Sequence, residues 1–409
     1  MTRPPRRGTV NESSAPGRPP LNPRALGTPT SAIRHIADMA AVRAAKGLPV
    51  YPFHLGEPDF DTPMAIKRAA VDAMMAGHVH YTPNAGIAPL RTAIAGDLRG
   101  RYGAALGPAD VIVTVGACEA LTLAFMATLE PGAEVVVPTP CWPNYLQTPL
   151  LLGARVREVA MEAQEDFRLS AEAVLAAIGP DTRAIVINTP NNPSGADAAP
   201  DVIRKLLDGA RHRGVWLIVD EIYHDLTFEP GWTSFLEVAR PDDPLIYVNG
   251  FSKSYAMTGW RLGYAVARGD VANAMIRLHQ ALVTSATSFV QHAAIAALSE
   301  RDEVVAMRNR YAARRERVLT VLSGAGIECP VPAGGFYVFP RVPEGWRDGD
   351  AFSQDMLAEH GVALVPGSAF GAAHRDRFRL CFACSDEVLD DGLDVLGRAV
   401  GNGWARPAG

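Results

Sequence analysis

The chain has 409 residues, 48% hydrophobic and 20% charged, with a formal net charge of −5. That is enough apolar material for two or three packed domains, and it lacks the basic footprint that nucleic acid requires. No apolar run approaches the ~18 residues of a membrane span, and no apolar h-region follows Arg6 and Arg7, so no membrane contact is expected and the cytoplasm is the expected location.

In chain order, residues 1–27 are rich in Pro, Arg, Gly and Ser. They have little to bury and are expected to form a disordered tail. "TSAIRHIADMAAVRAAKG" has apolar residues at helical spacing, a Thr/Ser start and a Gly stop, which predicts a first helix. Residues 28–62 thus read as a helix plus a segment leading to a small domain. From residue 63 to about 300, helical segments such as "MAIKRAAVDAMMAG" and "DVIRKLLDGARHRG" alternate with short apolar runs. Those runs are "DVIVTVG", "AEVVVP", "RAIVINTP", "VWLIVDE" and "LIYVNGF". Continuous rather than alternating apolarity predicts a mostly parallel sheet covered by helices on both faces, an α/β architecture. Residues 301–409 begin with a long charged amphipathic helix and continue with "GGFYVFP", "GVALVPG" and "FRLCFAC". They predict a smaller second α/β domain.

The five cysteines are too few and too scattered for a disulfide framework. Cys381 and Cys384 form a C-x-x-C, but in a strand residues three apart face opposite sides, so no metal is expected there. His78 and His80 have no evident third ligand. P-loop and dinucleotide glycine patterns are absent.

In open parallel sheets, ligands bind beyond the carboxyl ends of the strands. After "VIVTV" come Gly116, Ala117 and Cys118 at a helix start, where free N–H groups suit an anion. After "VVVP" come Trp142 and Tyr145; after "AIVIN" comes "TPNNPSG" with Asn192. "WLIVD" ends on Asp220, followed by Tyr223, and "LIYVN" leads to Ser252, Lys253 and Arg261. Singly, each has a plain structural reading: a cap, a turn, a core aromatic, a surface cation. As an ordered set they fit one chemistry. A phosphorylated pyridine aldehyde needs an amine to condense with, an aromatic plane, a cation for its phosphate and a carboxylate at its ring nitrogen.

The set "LGEPDFDTP", "YTPNAGIAPLR", "NTPNNPSG", "DEIYHDL", "NGFSKSYAMTGWRLGY", "GGFYVFP" and "VPGSAFG" strongly resembles the fold-type I, class I/II aminotransferases that use pyridoxal 5′-phosphate. It is most similar to the bacterial aspartate/aromatic branch, over residues 28–400. The resemblance implies that Lys253 is the Schiff-base lysine and proton shuttle, and that Asp220 partners the ring nitrogen. It implies that Tyr223 and Asn192 donate to the ring oxygen, and that Trp142 stacks on the ring. Arg261, Ser252 and the backbone of Ala117 and Cys118 resemble the phosphate ligands. Tyr81 resembles a tyrosine that reaches the neighbouring subunit's phosphate, implying a homodimer with shared sites. Arg379 resembles the arginine that grips the substrate α-carboxylate beside the backbone of Gly56. Pro140 and Pro193 stand where such proteins often have cis peptide bonds.

Three positions depart from the pattern. Cys118 stands where some members acting on acidic substrates have lysine, which argues against aspartate as preferred donor. Gly250 replaces a hydroxyl residue and predicts a leaner phosphate cup. Gly335 replaces a more usual alanine and predicts a looser pocket. The expected reaction is ping-pong amino transfer between an L-amino acid and a 2-oxo acid. The alternative is elimination, cyclisation, replacement or O2-dependent oxidation at the same site. A transcription regulator with an aminotransferase-like domain is disfavoured, because some 27 residues before the fold are too few for a three-helix DNA reader.

Overall fold

The computed structural model describes residues 21–27 and 30–401. Seven strands form the main sheet: β1 (Val111–Thr114), β2 (Glu134–Thr139), β3 (Arg155–Ala160), β4 (Thr182–Asn188), β5 (Trp216–Asp220), β6 (Leu245–Gly250) and β7 (Gly263–Val266). Their spatial order is β1-β7-β6-β5-β4-β2-β3. Neighbours from β3 across to β6 are parallel, whereas β7 runs antiparallel to both β6 and β1. Five of these strands coincide with the apolar runs. Strand β3, "RVREVA", is an edge strand with charged, exposed positions, so no apolar run announces it. Strand β7 is hidden in the sequence because it follows directly on the glycine-containing lysine loop.

The pleat explains why the inner runs are continuously apolar. Val135 and Val137 pack with Ile112, Leu121 and Val248 on one face, while Val136 packs with Ile185, Leu217 and Phe235 on the other. Successive side chains alternate sides, and each side is covered. Each fully buried Val, Leu or Ile contributes about 1.5–3 kcal/mol of transfer free energy. Helices between the strands present one apolar stripe to the sheet. Pro200–Arg213 buries Ile203, Leu206, Leu207 and Ala210 and stops at Gly214, whose φ of 63° is the left-handed conformation glycine adopts freely.

A second sheet holds β8 (Tyr337–Val338), β9 (Val365–Pro366) and β10 (Phe378–Cys381), ordered β8-β10-β9 and antiparallel throughout. It packs with Tyr311, Val318 and Leu322 of the helix Arg301–Gly324 and with Leu389 of the helix Asp386–Gly401. Phe53, from the segment before the main sheet, is fully buried in the same cluster. The expected first helix spans Ala32–Ala45, and Ser31 Oγ accepts from Arg34 N at its start. Most of the expected tail, 1–27, lies outside the described residues; within 21–27, Pro23–Leu26 forms one helical turn.

Several smaller expectations meet the structure differently. Strand β10 ends at Cys381, so Cys384 lies beyond it rather than on its opposite face; both thiols are free and buried. Residues 78–80 form no strand, and His78 stacks on His292 at 3.9 Å between centroids. Among the described residues, no cluster of His, Cys, Asp and Glu is arranged to hold a metal, and no helix is long and apolar enough to cross a membrane.

Candidate active site

The strand ends converge on a cavity of about 480 Å³. Its walls include Gly56, Ala117, Cys118, Trp142, Asn192, Asp220, Tyr223, Ser252, Lys253, Arg261 and Arg379, so the structure brings all but one of the residues expected to bind cofactor or substrate around one space. The exception is Tyr81, which is 88% exposed and outside this cavity. The X-Pro bonds before Pro140 and Pro193 are cis, as is that before Pro190.

Lys253 follows the end of β6, on a turn that needs little of its own regular structure. Its Nζ donates to the carbonyl of Gly56 at 2.6 Å. Burial lowers its pKa to about 8, and the charge of Arg379 adds to that while Glu57 opposes it. At neutral pH roughly a tenth of such an amine is unprotonated, against well under a thousandth for an ordinary lysine. Asp220 closes β5 and is buried. Tyr145 Oη donates to Asp220 Oδ2 at 2.8 Å, and the Ile222 N–H donates to Oδ1 at 3.0 Å. Burial nevertheless raises Asp220 to about 6, against the lowering effect of those bonds and of Lys253. A carboxylate held so high lacks a cationic partner.

Arg261 lies just before β7 with a φ of 55°, a left-handed conformation that costs a non-glycine residue on the order of 1 kcal/mol. Its Nη1 donates to the Thr258 carbonyl at 3.0 Å. Gly116, with φ 75°, opens the helix Gly116–Thr128 beside it; a Cβ there would sit 2.9 Å from Arg261 Nη2. The glycine therefore lets the helix start and the guanidinium close on each other. Arg379 projects from β10 and is 1% exposed. Its Nη2 donates to the His54 carbonyl at 2.7 Å and its Nη1 to Asn192 Oδ1 at 3.1 Å. The guanidinium carbon stands 4.5 Å from the Tyr337 ring centre and 5.0 Å from that of Phe370, and Nε has no partner among the described residues. Stacking of this kind suits Arg rather than Lys.

Three contributors escaped the sequence reading. Tyr145 was visible at a strand end but carried no sign that it would reach Asp220. Asn188, the last residue of β4, donates through Nδ2 to the Asp220 carbonyl and accepts at Oδ1 from the Asn192 N–H. Its strand-end position was the available signal. Tyr337 shares a hydrogen bond with Tyr223 between hydroxyls 3.0 Å apart, a contact across 114 residues that no local pattern announces. Asn192 itself is engaged with Arg379 as well as facing the cavity.

The two glycines that depart from the family pattern also answer to their backbone surroundings. Gly250 does not itself line the cavity. It pairs with Gly263 across β6–β7, and a Cβ would meet Gly263 Cα at 3.0 Å and the Leu262 carbonyl at 3.1 Å, a tight approach that glycine eases. Gly335 is set by backbone: its φ of 80° is left-handed, while a methyl there would meet Tyr223 and Tyr337 only at ordinary contact distance, 3.9 Å.

These residues suit pyridoxal phosphate on grounds of charge alone. Lys253, Arg261 and Arg379 face one cavity, and among the described residues none forms an ion pair. Unpaired, partly desolvated cations call for anionic ligands, while the raised Asp220 calls for a cation. A dianionic phosphate, a protonated ring nitrogen and a substrate carboxylate supply those charges.

Comparison with known proteins agrees. A family model described as "Aminotransferase class I and II" matches residues 49–396. The probable aspartate/prephenate aminotransferase of Aquifex aeolicus is 37% identical over 367 residues, 87% of this chain and 92% of the relative. The aspartate aminotransferase of Pyrococcus horikoshii is 35% identical over 362 residues, 88% and 92% of the two chains. The solved structure of aspartate aminotransferase from Thermus thermophilus with maleate superposes with a TM-score of 0.89 at 36% identity, covering 93% of this chain and all of that one. Fold, cavity and kinship converge: the chain belongs to the class I and II aminotransferases, pyridoxal-phosphate enzymes that move amino groups between amino acids and 2-oxo acids.

Proposed function

We propose that this chain holds pyridoxal 5′-phosphate covalently on Lys253 and transfers an amino group from an L-amino acid to a 2-oxo acid in two half-reactions. The observation that carries the assignment is the trio of unpaired cations around one cavity, with the high-pKa Asp220 among them. When bound, the cofactor supplies an aldehyde carbon that condenses with amines and a ring that accepts electrons from the substrate Cα. Arg261, the Ser252 hydroxyl and the N–H groups of Ala117 and Cys118 hold its phosphate. Asp220 would keep the ring nitrogen protonated, and Trp142, Tyr223 and Asn192, which line the same cavity, would hold the ring and its oxygen. Arg379 binds the substrate α-carboxylate beside Gly56. Once released, the Lys253 amine, with its lowered pKa, takes a proton from Cα and returns it on the other side of the transfer.

The same reading extends to assembly and location. We assign residues 63–300 to a large cofactor-binding domain and 301–409 to a small one, which the N-terminal helix and segment 28–62 join, with 1–27 as a tail. Tyr81 is an exposed aromatic, close in sequence to exposed Met75 and Val79, and exposed apolar residues of this kind suit a second copy of the chain. We propose a cytoplasmic homodimer in which Tyr81 completes the partner's phosphate site.

Lys253→Ala tests the assignment. It is expected to abolish the visible absorbance of lysine-bound cofactor and to lower turnover by about 10³-fold or more. A variant keeping both would show that another lysine serves.

A further inference from the structure

The two cations nearest the substrate are each held by a carbonyl of one short segment. The His54 carbonyl accepts from Arg379, and the Gly56 carbonyl accepts from Lys253. Leu55, Gly56 and Glu57 also line the cavity. At its front end this strap is fixed by backbone bonds: Cys381 N donates to the Phe53 carbonyl at 2.8 Å, and Tyr51 bridges to Val362. From 56 to 62 the situation changes. That stretch has no helix or strand, and among the described residues no backbone–backbone hydrogen bond begins or ends in it.

Side chains alone therefore fix its course. Thr258 Oγ1 donates to the Glu57 carboxylate. Thr62 Oγ1 donates to the Ala256 carbonyl at 2.6 Å and accepts from Trp260 Nε1 at 3.0 Å. Between these ties stands the strongest clasp. Arg314, from the helix Arg301–Gly324, grips Asp59 through both oxygens, Nη1 to Oδ1 at 2.7 Å and Nη2 to Oδ2 at 2.9 Å. Its Nε donates to Asp386 Oδ1 at 2.9 Å. The guanidinium also lies over Phe60, which packs edge-on against Tyr311 at 5.3 Å. Arg314 is 1% exposed although it touches neither cavity nor substrate. A charge buried that far, in a planar fork with two carboxylates, fixes geometry more than it stabilises the fold.

We propose that Arg314 is a positioning residue for amino transfer: through Asp59 it holds the strap so that the Gly56 carbonyl and the walls at Leu55 and Glu57 keep the Lys253 amine and the incoming amino acid in register. This rests on Lys253 being the cofactor-bearing amine. A slack strap acts mainly on the substrate side; it reaches Arg261 through the Glu57–Thr258 bond, which these substitutions leave in place. It misplaces substrate and admits water to the lysine.

The test uses holoenzymes carrying Asp59→Asn, Arg314→Lys, Arg314→Met and the Asp59→Asn/Arg314→Lys pair. KM for the amino acid is expected to rise about tenfold in Asp59→Asn and Arg314→Met with kcat little changed, and less in Arg314→Lys, which keeps the charge without the fork. The pair is expected to be no worse than its worse single member, as for two residues acting through one contact. Water reaching the lysine nitrogen favours its charged form, so the pH midpoint of the visible cofactor band is expected to move up by about half a unit or more. An unchanged KM and midpoint in Asp59→Asn and Arg314→Lys, with only Tm lowered, would overturn the proposal; Asp59, being partly exposed, keeps the test available if Arg314→Met does not fold. If the wild-type protein itself shows no lysine-bound cofactor band, the reading of Lys253 fails instead, and the strap proposal with it.

Discussion

The two arginines of the cavity are built in opposite ways. Arg261 is exposed, on a left-handed turn eight residues after Lys253, and its neighbours come from adjoining strand ends. Arg379 is buried between two aromatic rings, and its hydrogen-bond partners lie 325 and 187 residues away in the chain. The cofactor side of the cavity is thus assembled locally, from loops that follow parallel strands. The substrate side depends on how the second sheet and the 54–62 strap meet the first. Damage to one side should therefore leave the other largely intact.

The largest expected contrast is between Arg379→Lys and Arg261→Gln. Arg379→Lys loses the planar fork and both stacking contacts, at about 2–3 kcal/mol, and should lower kcat/KM roughly 30- to 100-fold, mainly through KM, with cofactor retained. Arg261→Gln removes the charge for a phosphate and should weaken cofactor binding about 10- to 100-fold, with near-normal KM once the cofactor is saturating. Equilibrium dialysis of the cofactor and steady-state kinetics read the two separately. Loss of both properties in one variant would break the comparison.

Tyr145→Phe should have a smaller effect. It deletes one hydrogen bond to Asp220 worth about 1.5 kcal/mol, so turnover should fall roughly tenfold. Because that bond lowers the Asp220 pKa, the acid limb of the activity profile should move to higher pH.

The smallest effect concerns stability without cofactor. Asp220 is raised to about 6 by burial, so its stabilising contribution is complete below the unfolded value near 4 and is lost as pH rises through 6. Glu221, buried beside it and raised to about 8, acts in the same direction over a wider window. His54 and His374, buried and lowered to about 4, act in the opposite direction between pH 4 and 6.5, so Asp220 is read by difference: the Tm of cofactor-free Asp220→Asn minus that of the wild type should grow from pH 4.5 to pH 7. A difference that shrinks across this range would contradict the raised state of Asp220.

The same local–distant contrast explains what could be read from sequence. Strands β1, β2, β4, β5 and β6 are apolar on both faces, and the residues at their ends carry the cofactor chemistry, so pattern and function coincide in single short strings. Strand β3 was missed because an edge strand tolerates Arg and Glu. The bond from Tyr145 to Asp220 spans 75 residues and that between Tyr223 and Tyr337 spans 114; neither leaves a local trace. At Gly250 the sequence shows a missing hydroxyl but not the close approach of Gly263 that the fold imposes. The Arg314–Asp59 clasp crosses 255 residues and emerges only from the folded chain.

The central claim is that Lys253 carries the cofactor. The chain has four lysines, at 46, 67, 205 and 253, which makes the site simple to map. Holoenzyme reduced with borohydride, digested and read by mass spectrometry should show the pyridoxyl-phosphate group on Lys253 alone. The group found instead on Lys46, Lys67 or Lys205, or on none, would contradict the account.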